Sequence, residues 1–520
     1  MNKPWEMKRI SHPTVSSPLI ITSCVRPLPR HSPDKTRCSA TCLSRWLAEM
    51  TSAIHAVIVC NITSPVVILN VRGKCLCTFQ YALYNRSKSS YTFGCLNMDF
   101  KVSLAKQINY ELLQCVVKMG RSIHKSLNTE SISQTCRTLA DEISSQRYQP
   151  SIYSRFAVTD PKLREIYAPS FRDRLVQCWL VYHINPYVER VLIDDTFANR
   201  KNKGTLAAVQ RVQRFMRQPD HTYYLQLDIQ NFFNAIPRTP LLTQCQSITQ
   251  RYLSESPLYE TLDFILERCI LHPVARCTWT VSGDRRLLNT IPPHKTLLGA
   301  GSDKGLPLGS SASQMFANLW LSPLDHFIKH SLKARGYVRY MDDLFLLGSS
   351  SKKMSQWREL IASFCASELS LTLHPKKQSI QKCSQGADYL GYRVYPHHLH
   401  MRNRNIRRFI YRLHFFNQVL SGHPPRHMHN NSDAFIHKWA AYLNGAPITP
   451  HYERLTQIQS VINSYLGMMQ HTQHWRLRKQ IWHRYAGLLK TWFIPADANC
   501  GAIRIKQYCK QDWIVQQYRG

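Results

Sequence analysis

Acidic residues are scarce in this chain: 32 aspartates and glutamates stand against 67 lysines and arginines over 520 residues, a formal charge of +35. That balance calls for a polyanionic partner, and nucleic acid is the economical choice because neutralising phosphates releases counterions. A generally basic surface or adhesion to anionic lipid is the alternative. Against it, the charge is interleaved with aromatics rather than piled into one block. No internal repeat or low-complexity tract is present, and the length allows two to four domains with a sizeable core. The 17 cysteines are scattered singly apart from Cys38/Cys42 and Cys75/Cys77. With no second CxxC half-site, a structural zinc is not expected. The odd count suits reduced thiols and a cytoplasmic location. The start lacks the compact basic region, apolar core and small-residue site of a signal peptide. The one run of membrane-like composition, AIHAVIVCNITSPVVILNV (53–71), is interrupted by His55, Asn61, Ser64 and Pro65. It is strongly β-branched, so a pair of core strands is expected there and no membrane partner.

Where acids do occur, their placement is informative. Asp342 and Asp343 sit in the run YVRYMDDLFLLG, between β-forming residues on both sides. The pattern reads strand, tight turn, strand, with both carboxylates at the tip. Adjacent carboxylates repel, and ionising both is costly unless a divalent cation shares them. A solvated hairpin is the plainer alternative. A third acid, Asp228, ends the apolar stretch Tyr223 to Leu227 and is followed by Phe232 and Phe233; alone it would be an N-cap or turn residue. Together the three acids suit nucleotidyl transfer. That reaction uses two metal ions about 3.5–4 Å apart, one acting on the attacking 3′-hydroxyl and one on the leaving pyrophosphate.

The order and surroundings of these motifs resemble reverse transcriptases over seven blocks. They are FAVTDPKLREIYAPSFRDRLVQ (156–177), FANRKNKGTLAAVQRVQRF (197–215), LQLDIQNFF, KGLPLGSSASQMFAN (304–318), YMDD, LTLHPKK (371–377) and DYLGYRV (388–394). In motif B, Leu308-Gly309-Ser310-Ser311-Ala312-Ser313-Gln314 is similar to the LGxxxSQ pattern of bacterial diversity-generating retroelements and neighbouring unknown-group enzymes, some of which serve in phage defence. IPPHKTLLGAG (291–301), SYLGMMQH (464–471) and WRLR (475–478) resemble the same clades.

The resemblance implies an α+β right-hand polymerase with fingers, an antiparallel palm sheet backed by helices, and a helical thumb. Catalysis falls to Asp228, Asp342 and Asp343, which with the Ile229 carbonyl would bind two Mg2+ ions. Lys162 and Arg164 would grip the triphosphate, with Leu308 and Gln314 also at the nucleotide. Phe233 stands at the place of the steric gate that rejects a 2′-hydroxyl; core packing is its other role, since neighbours on one strand cannot face the same side. Leu308, where other families have Gln, would weaken base-pair discrimination and make the enzyme error-prone. Lys376 or Lys377 would protonate pyrophosphate. Gly391 and Tyr392 would seat the primer end. Lys203, Arg404, Arg408 and Arg412 would touch nucleic-acid backbone, the last three as a stripe on a thumb helix.

The expected organisation is an N-terminal extension of unknown role (1–118), fingers and palm (119–400), then thumb and tail (401–520). A helix is expected over Ser122 to Ser144, and translation from Met98 or Met119 is an alternative. Acids are few beyond residue 400, and no ribonuclease H quartet or His/Cys nuclease motif is visible. Expected partners are an RNA template from the same locus, dNTPs and the DNA product, with a small accessory protein or a second copy as further options. The roles weighed are phage defence, mutagenic retroelement homing, and a catalytically silent RNA-binding scaffold. Priming from a protein hydroxyl belongs to the first.

Overall fold

The computed structural model describes residues 93–119, 129–159, 162–421 and 452–507. The 53–71 run and the two close cysteine pairs lie outside the described residues. Helix α1 (Phe93–Met119) buries Leu104, Ile108, Leu112, Cys115 and Val116, a spacing that keeps them on one face. Helix α2 (Thr129–Ser144) buries Ile132, Cys136, Leu139, Ala140 and Ile143 in the same way. Both faces join the core of the palm. Residues Phe93–Met119, within the span expected as an N-terminal extension, thus form a helix whose buried face packs on the palm core. The helix expected from Ser122 is described only from Thr129.

In the fingers, β1 (Tyr153–Val158) and β2 (Arg164–Ala168) form an antiparallel hairpin. Ser170 caps the long helix α3 (Phe171–Val191) by accepting from the Asp173 amide. Helix α4 (Thr205–Met216) leads to β3 (Tyr223–Ile229), and a helical turn, α5 (Phe232–Ala235), follows. The helical pair α6 (Arg238–Leu253) and α7 (Tyr259–Leu271) packs behind the sheet. Strand β4 (Trp279–Val281) then adds parallel to β1. Next come α8 (Ser311–Trp320), the hairpin β5 (Gly336–Tyr340) and β6 (Asp343–Gly348), helix α9 (Ser351–Leu369) and β7 (Leu373–Lys382).

The palm sheet runs β5-β6-β3-β7, with each neighbouring pair antiparallel. Along β3, Leu225, Leu227 and Ile229 enter the helical core, while Tyr224 faces a second apolar cluster on the other side. In β6, Leu344 and Leu346 take the first side, Phe345 and Leu347 the second. Both faces are covered, which is why LFLL is an unbroken apolar run instead of an alternating one. The second cluster includes the small sheet of β8 (Ala387–Tyr389), β9 (Tyr392–Val394) and β10 (Leu399–Met401). Helices α10 (Asn403–Leu420), α11 (Tyr452–Gln470) and α12 (Trp475–Tyr485) share a third core with β11 (Phe493–Pro495) and β12 (Ile503–Ile505). This is the expected α+β arrangement of an antiparallel sheet backed by helices and followed by a helical bundle. Among the described residues no helix is long and apolar enough to cross a membrane, and the nine cysteines from Cys115 to Cys500 are free thiols.

Candidate active site

Three carboxylates meet at one end of the palm sheet. Tyr340 pairs with Asp343 across a two-residue turn, and Asp343 in turn lies directly opposite Asp228 on β3. The turn begins at Met341, whose φ of 57° is left-handed, as hairpin turns of this length require at their first residue. Asp342 and Asp343 are half-buried at its tip. Burial, then the charge of Asp228, raises the Asp342 pKa. Burial, followed by Asp342 and Asp228, pushes Asp343 up to about 7.

Asp228 lies where the β3–β7 register breaks: Leu227 pairs with Gln378, but Ile229 pairs with Leu373. The extra residues of β7 bulge outward and re-aim their side chains. Lys377 thereby reaches both oxygens of Asp228 at 2.7 Å. Lys376 does not; its backbone amide donates to His374 Nδ1. The bulge thus separates two lysines that the sequence leaves equivalent.

Lys162 and Arg164 stand exposed at the fingers hairpin. Their positive charges act on the palm carboxylates, Lys162 on Asp343 and Arg164 on Asp342, both opposing the upward pKa shifts. The hairpin is fixed from behind by Glu165, which accepts from Arg155 Nε at 2.8 Å and from the Leu297 amide at 2.7 Å. The Tyr167 amide donates to the Leu308 carbonyl at 2.7 Å. Gly309 has φ 116°, and a Cβ there would lie 2.7 Å from the Tyr167 carbonyl oxygen, so only glycine lets the start of α8 touch the fingers strand. Leu308 is half-buried and Gln314 is exposed on α8.

Phe232 and Phe233 are not strand neighbours, because β3 ends at Ile229 and both lie on α5. About 100° of helical rotation separates them: Phe232 is buried, and Phe233 is half-buried at the core's edge. Ile229 is buried. Gly391 (φ 92°) and Leu390 (φ 44°) form the β8–β9 turn. The Gly391 carbonyl accepts from the Arg402 amide, and the Tyr392 hydroxyl donates to the Met468 carbonyl, tying the turn to the helical bundle. Lys203 is engaged internally, by the Asp194 carboxylate at 2.8 Å. The arginine stripe needs correcting. Each i+4 step advances about 40° around a helix, so Arg412 has turned 80° from Arg404 and is buried. The exposed row is Arg404, Arg407, Tyr411 and His414, with Arg408 half-buried.

The donor set suits a hard cation: clustered carboxylate oxygens, with burial and then mutual repulsion raising the pKa values of Asp342 and Asp343 and the chain's own ammonium resting on Asp228. As placed, no three His, Cys, Asp or Glu side chains among the described residues converge on one metal position. At Asp228 the positive charge is supplied by the Lys377 ammonium.

Sequence reasoning passed over Gly309, Glu165 and the buried arginine of the hairpin, Arg339. A signal for Arg339 existed: a lone charge within an apolar strand, YVRY, must be paired if buried.

Residues 159–394 match the family described as reverse transcriptase (RNA-dependent DNA polymerase). The matched span runs from the fingers hairpin to β9 and includes all three aspartates. The chain therefore carries a reverse transcriptase domain, the domain of an RNA-directed DNA polymerase. No curated protein sequence matches the chain. Among solved structures, it is similar to apo telomerase from Candida tropicalis truncated from its C-terminal domain, at 12% identity and TM-score 0.34, covering 46% of this chain and 53% of that one. Telomerase from Candida albicans in complex with a TWJ fragment of telomeric RNA is similar at 11% identity and TM-score 0.32, covering 66% and 64%. A second structure of apo telomerase from Candida tropicalis gives 10% identity and TM-score 0.33, covering 66% and 59%. The chain spans between about half and two thirds of the length of these telomerases.

Proposed function

We propose that this protein extends a primer 3′-end with deoxynucleotides on an RNA template, using Asp228, Asp342, Asp343 and the Ile229 carbonyl to hold two Mg2+ ions. The observation that carries this reading is the direct cross-strand pairing of Asp228 with Asp343 beside Asp342, within the matched domain. When bound, magnesium would lower the pKa of the 3′-hydroxyl and neutralise charge on the leaving group. The 3′-hydroxyl gives its proton to solvent, its oxygen attacks the α-phosphorus, an O–P bond forms, and the bond to pyrophosphate breaks. Lys162 and Arg164 hold the triphosphate in line by charge-assisted bonds. Leu308 and Gln314 flank the nucleotide from the start of α8, and Leu308 offers it no hydrogen bond. Phe233 excludes a 2′-hydroxyl. Lys377, not Lys376, donates the proton to pyrophosphate, because its ammonium already lies at the carboxylates. Gly391 and Tyr392 seat the primer. Arg404 and Arg408 lie along the duplex with Arg407; Arg412 packs inside the bundle, and Lys203 reaches template only by leaving Asp194.

For the biological role we infer phage defence with a structured RNA from the same locus as template, because Ser310-Ser311-Ala312 lacks the Asn and Thr common in the retroelement enzymes and the first 118 residues carry none of the family's motifs. Sequencing the RNA and DNA that co-purify distinguishes this from mutagenic retroelement homing, which leaves substitutions concentrated at one template base. The test of the activity is primer extension on RNA by the parent and by Asp342→Ala. Extension by the parent alone supports the reading. Equal extension would place the activity elsewhere, and none from folded parent would favour an RNA-binding scaffold.

A further inference from the structure

We propose that Arg339 is a positioning residue of the polymerase site, holding the turn that carries Asp342 and Asp343 and locking it to helix α8. This rests on the reading of the aspartates as metal ligands. Arg339 lies on β5 with its side chain fully buried. Its Nε and Nη2 donate to the two oxygens of Asp325 at 2.8 and 2.7 Å, a fork-on-carboxylate pair that satisfies the charge. Asp325 lies on the short helix Ser322–His326, which directly follows α8.

The third nitrogen does something else. Nη1 donates to the side-chain oxygen of Asn318 at 3.0 Å and to the backbone carbonyl of Met341 at 3.2 Å. Nη2 also donates to the Asn318 carbonyl at 3.1 Å. Met341 is the left-handed residue of the hairpin tip. A non-glycine residue keeps that conformation only where its surroundings over-determine it, and the direction of the next two side chains follows from it. Asn318 belongs to α8, and its amide donates onward to the Ala198 carbonyl at 2.8 Å. One guanidinium thus joins the residue before the two carboxylates to the helix whose opposite end, at Gly309 and Ser310, packs on the fingers hairpin and Gln177. The backbone of Arg339 is pinned as well: its amide donates to Asp195 and its carbonyl accepts from Phe197. Side chains that orient metal ligands set metal affinity, and small misplacements at such sites are costly.

Arg339→Lys tests this, since lysine keeps the charge beside Asp325 but loses the fork to Met341 and Asn318. Tyr337→Phe is the control: it removes a hydrogen bond to the same Asp325, from the Tyr337 hydroxyl at 2.7 Å, and leaves the turn alone. Mn2+ serves as the probe, with free ion followed by electron paramagnetic resonance on the full-length protein. Expected is Mn2+ binding about 10- to 100-fold weaker in Arg339→Lys, a parallel rise in the Mg2+ needed for half-maximal extension, and parental binding in Tyr337→Phe. Lower melting with parental Mn2+ affinity in Arg339→Lys would make the arginine a core ion pair only and overturn the proposal. Should Arg339→Lys not fold, Asn318→Ala must weaken Mn2+ binding in the same direction, and unchanged binding overturns it equally. A folded parent that binds no Mn2+ would refute the metal reading itself, a distinct failure.

Discussion

The side chain of Asp343 is held at about 7, far above an ordinary carboxyl near 3.9. Between those values the folded chain binds a proton that the unfolded chain does not, so this group's contribution to stability is lost as pH rises through 7. A divalent cation competes with that proton. Magnesium should therefore raise the melting temperature more at pH 8 than at pH 6. Thermal melts at both pH values, with and without Mg2+, check this; equal increments would mean that the carboxylates do not hold the ion. Lys377 carries the second residue-scale expectation. Its ammonium is 2.7 Å from Asp228 while that of Lys376 has no such contact, so Lys377→Ala should slow single-turnover incorporation roughly 10²-fold or more. Lys376→Ala should leave the rate near that of the parent. The reverse ranking, read by rapid quench, would reassign the proton donor. The sequence shows two adjacent lysines after Pro375 and cannot separate them, because the choice is made by a bulge that depends on the pairing of β7 with β3.

Elements were legible in proportion to their local signal. YVRYMDDLFLLG reads as a hairpin because β-formers lie on both sides of the two carboxylates, and β5 and β6 are found there. The turn of helix at Phe232 was misread as strand: two aromatics favour β-structure locally, while the chain is bent instead by Asn231 in the left-handed region. On α10 the i, i+4, i+8 arginines look like one stripe, but the drift of a 3.6-residue helix turns Arg412 inward. Two substitutions separate the faces. Arg407→Glu should weaken binding to a primer–template duplex and flatten its salt dependence, with little change in melting. Arg412→Glu should lower the melting temperature by placing an acid among buried side chains. Fluorescence anisotropy over a salt series, paired with thermal melts, reads both; loss of binding without loss of stability in Arg412→Glu would restore the original stripe.

For the molecule as a whole, the placement of the three acids was legible from sequence because strand ends are marked by apolar runs, and Asp228 and Asp343 sit where such runs end or begin. The packing of residues 93–119 was not, since α1 lacks the family's motifs and is recognised only by what it packs on: Glu111 accepts from Trp179 at 2.7 Å and lies 2.8 Å from His183 Nε2, both on α3. Arg339 was missed for a related reason, as its partners Asn318 and Asp325 lie 14 to 21 residues away and meet it only in the fold. A charge of +35 ensures attraction to nucleic acid but says nothing of chemistry, which rests on the carboxylates. The most direct measurement is single-nucleotide incorporation on four RNA templates differing only in the first templating base, by parent and by Asp228→Asn. The account predicts that the parent adds chiefly the complementary deoxynucleotide, none of the ribonucleotides, and only with Mg2+ present, while Asp228→Asn adds essentially nothing. Untemplated addition, or equal addition by the variant, would contradict it.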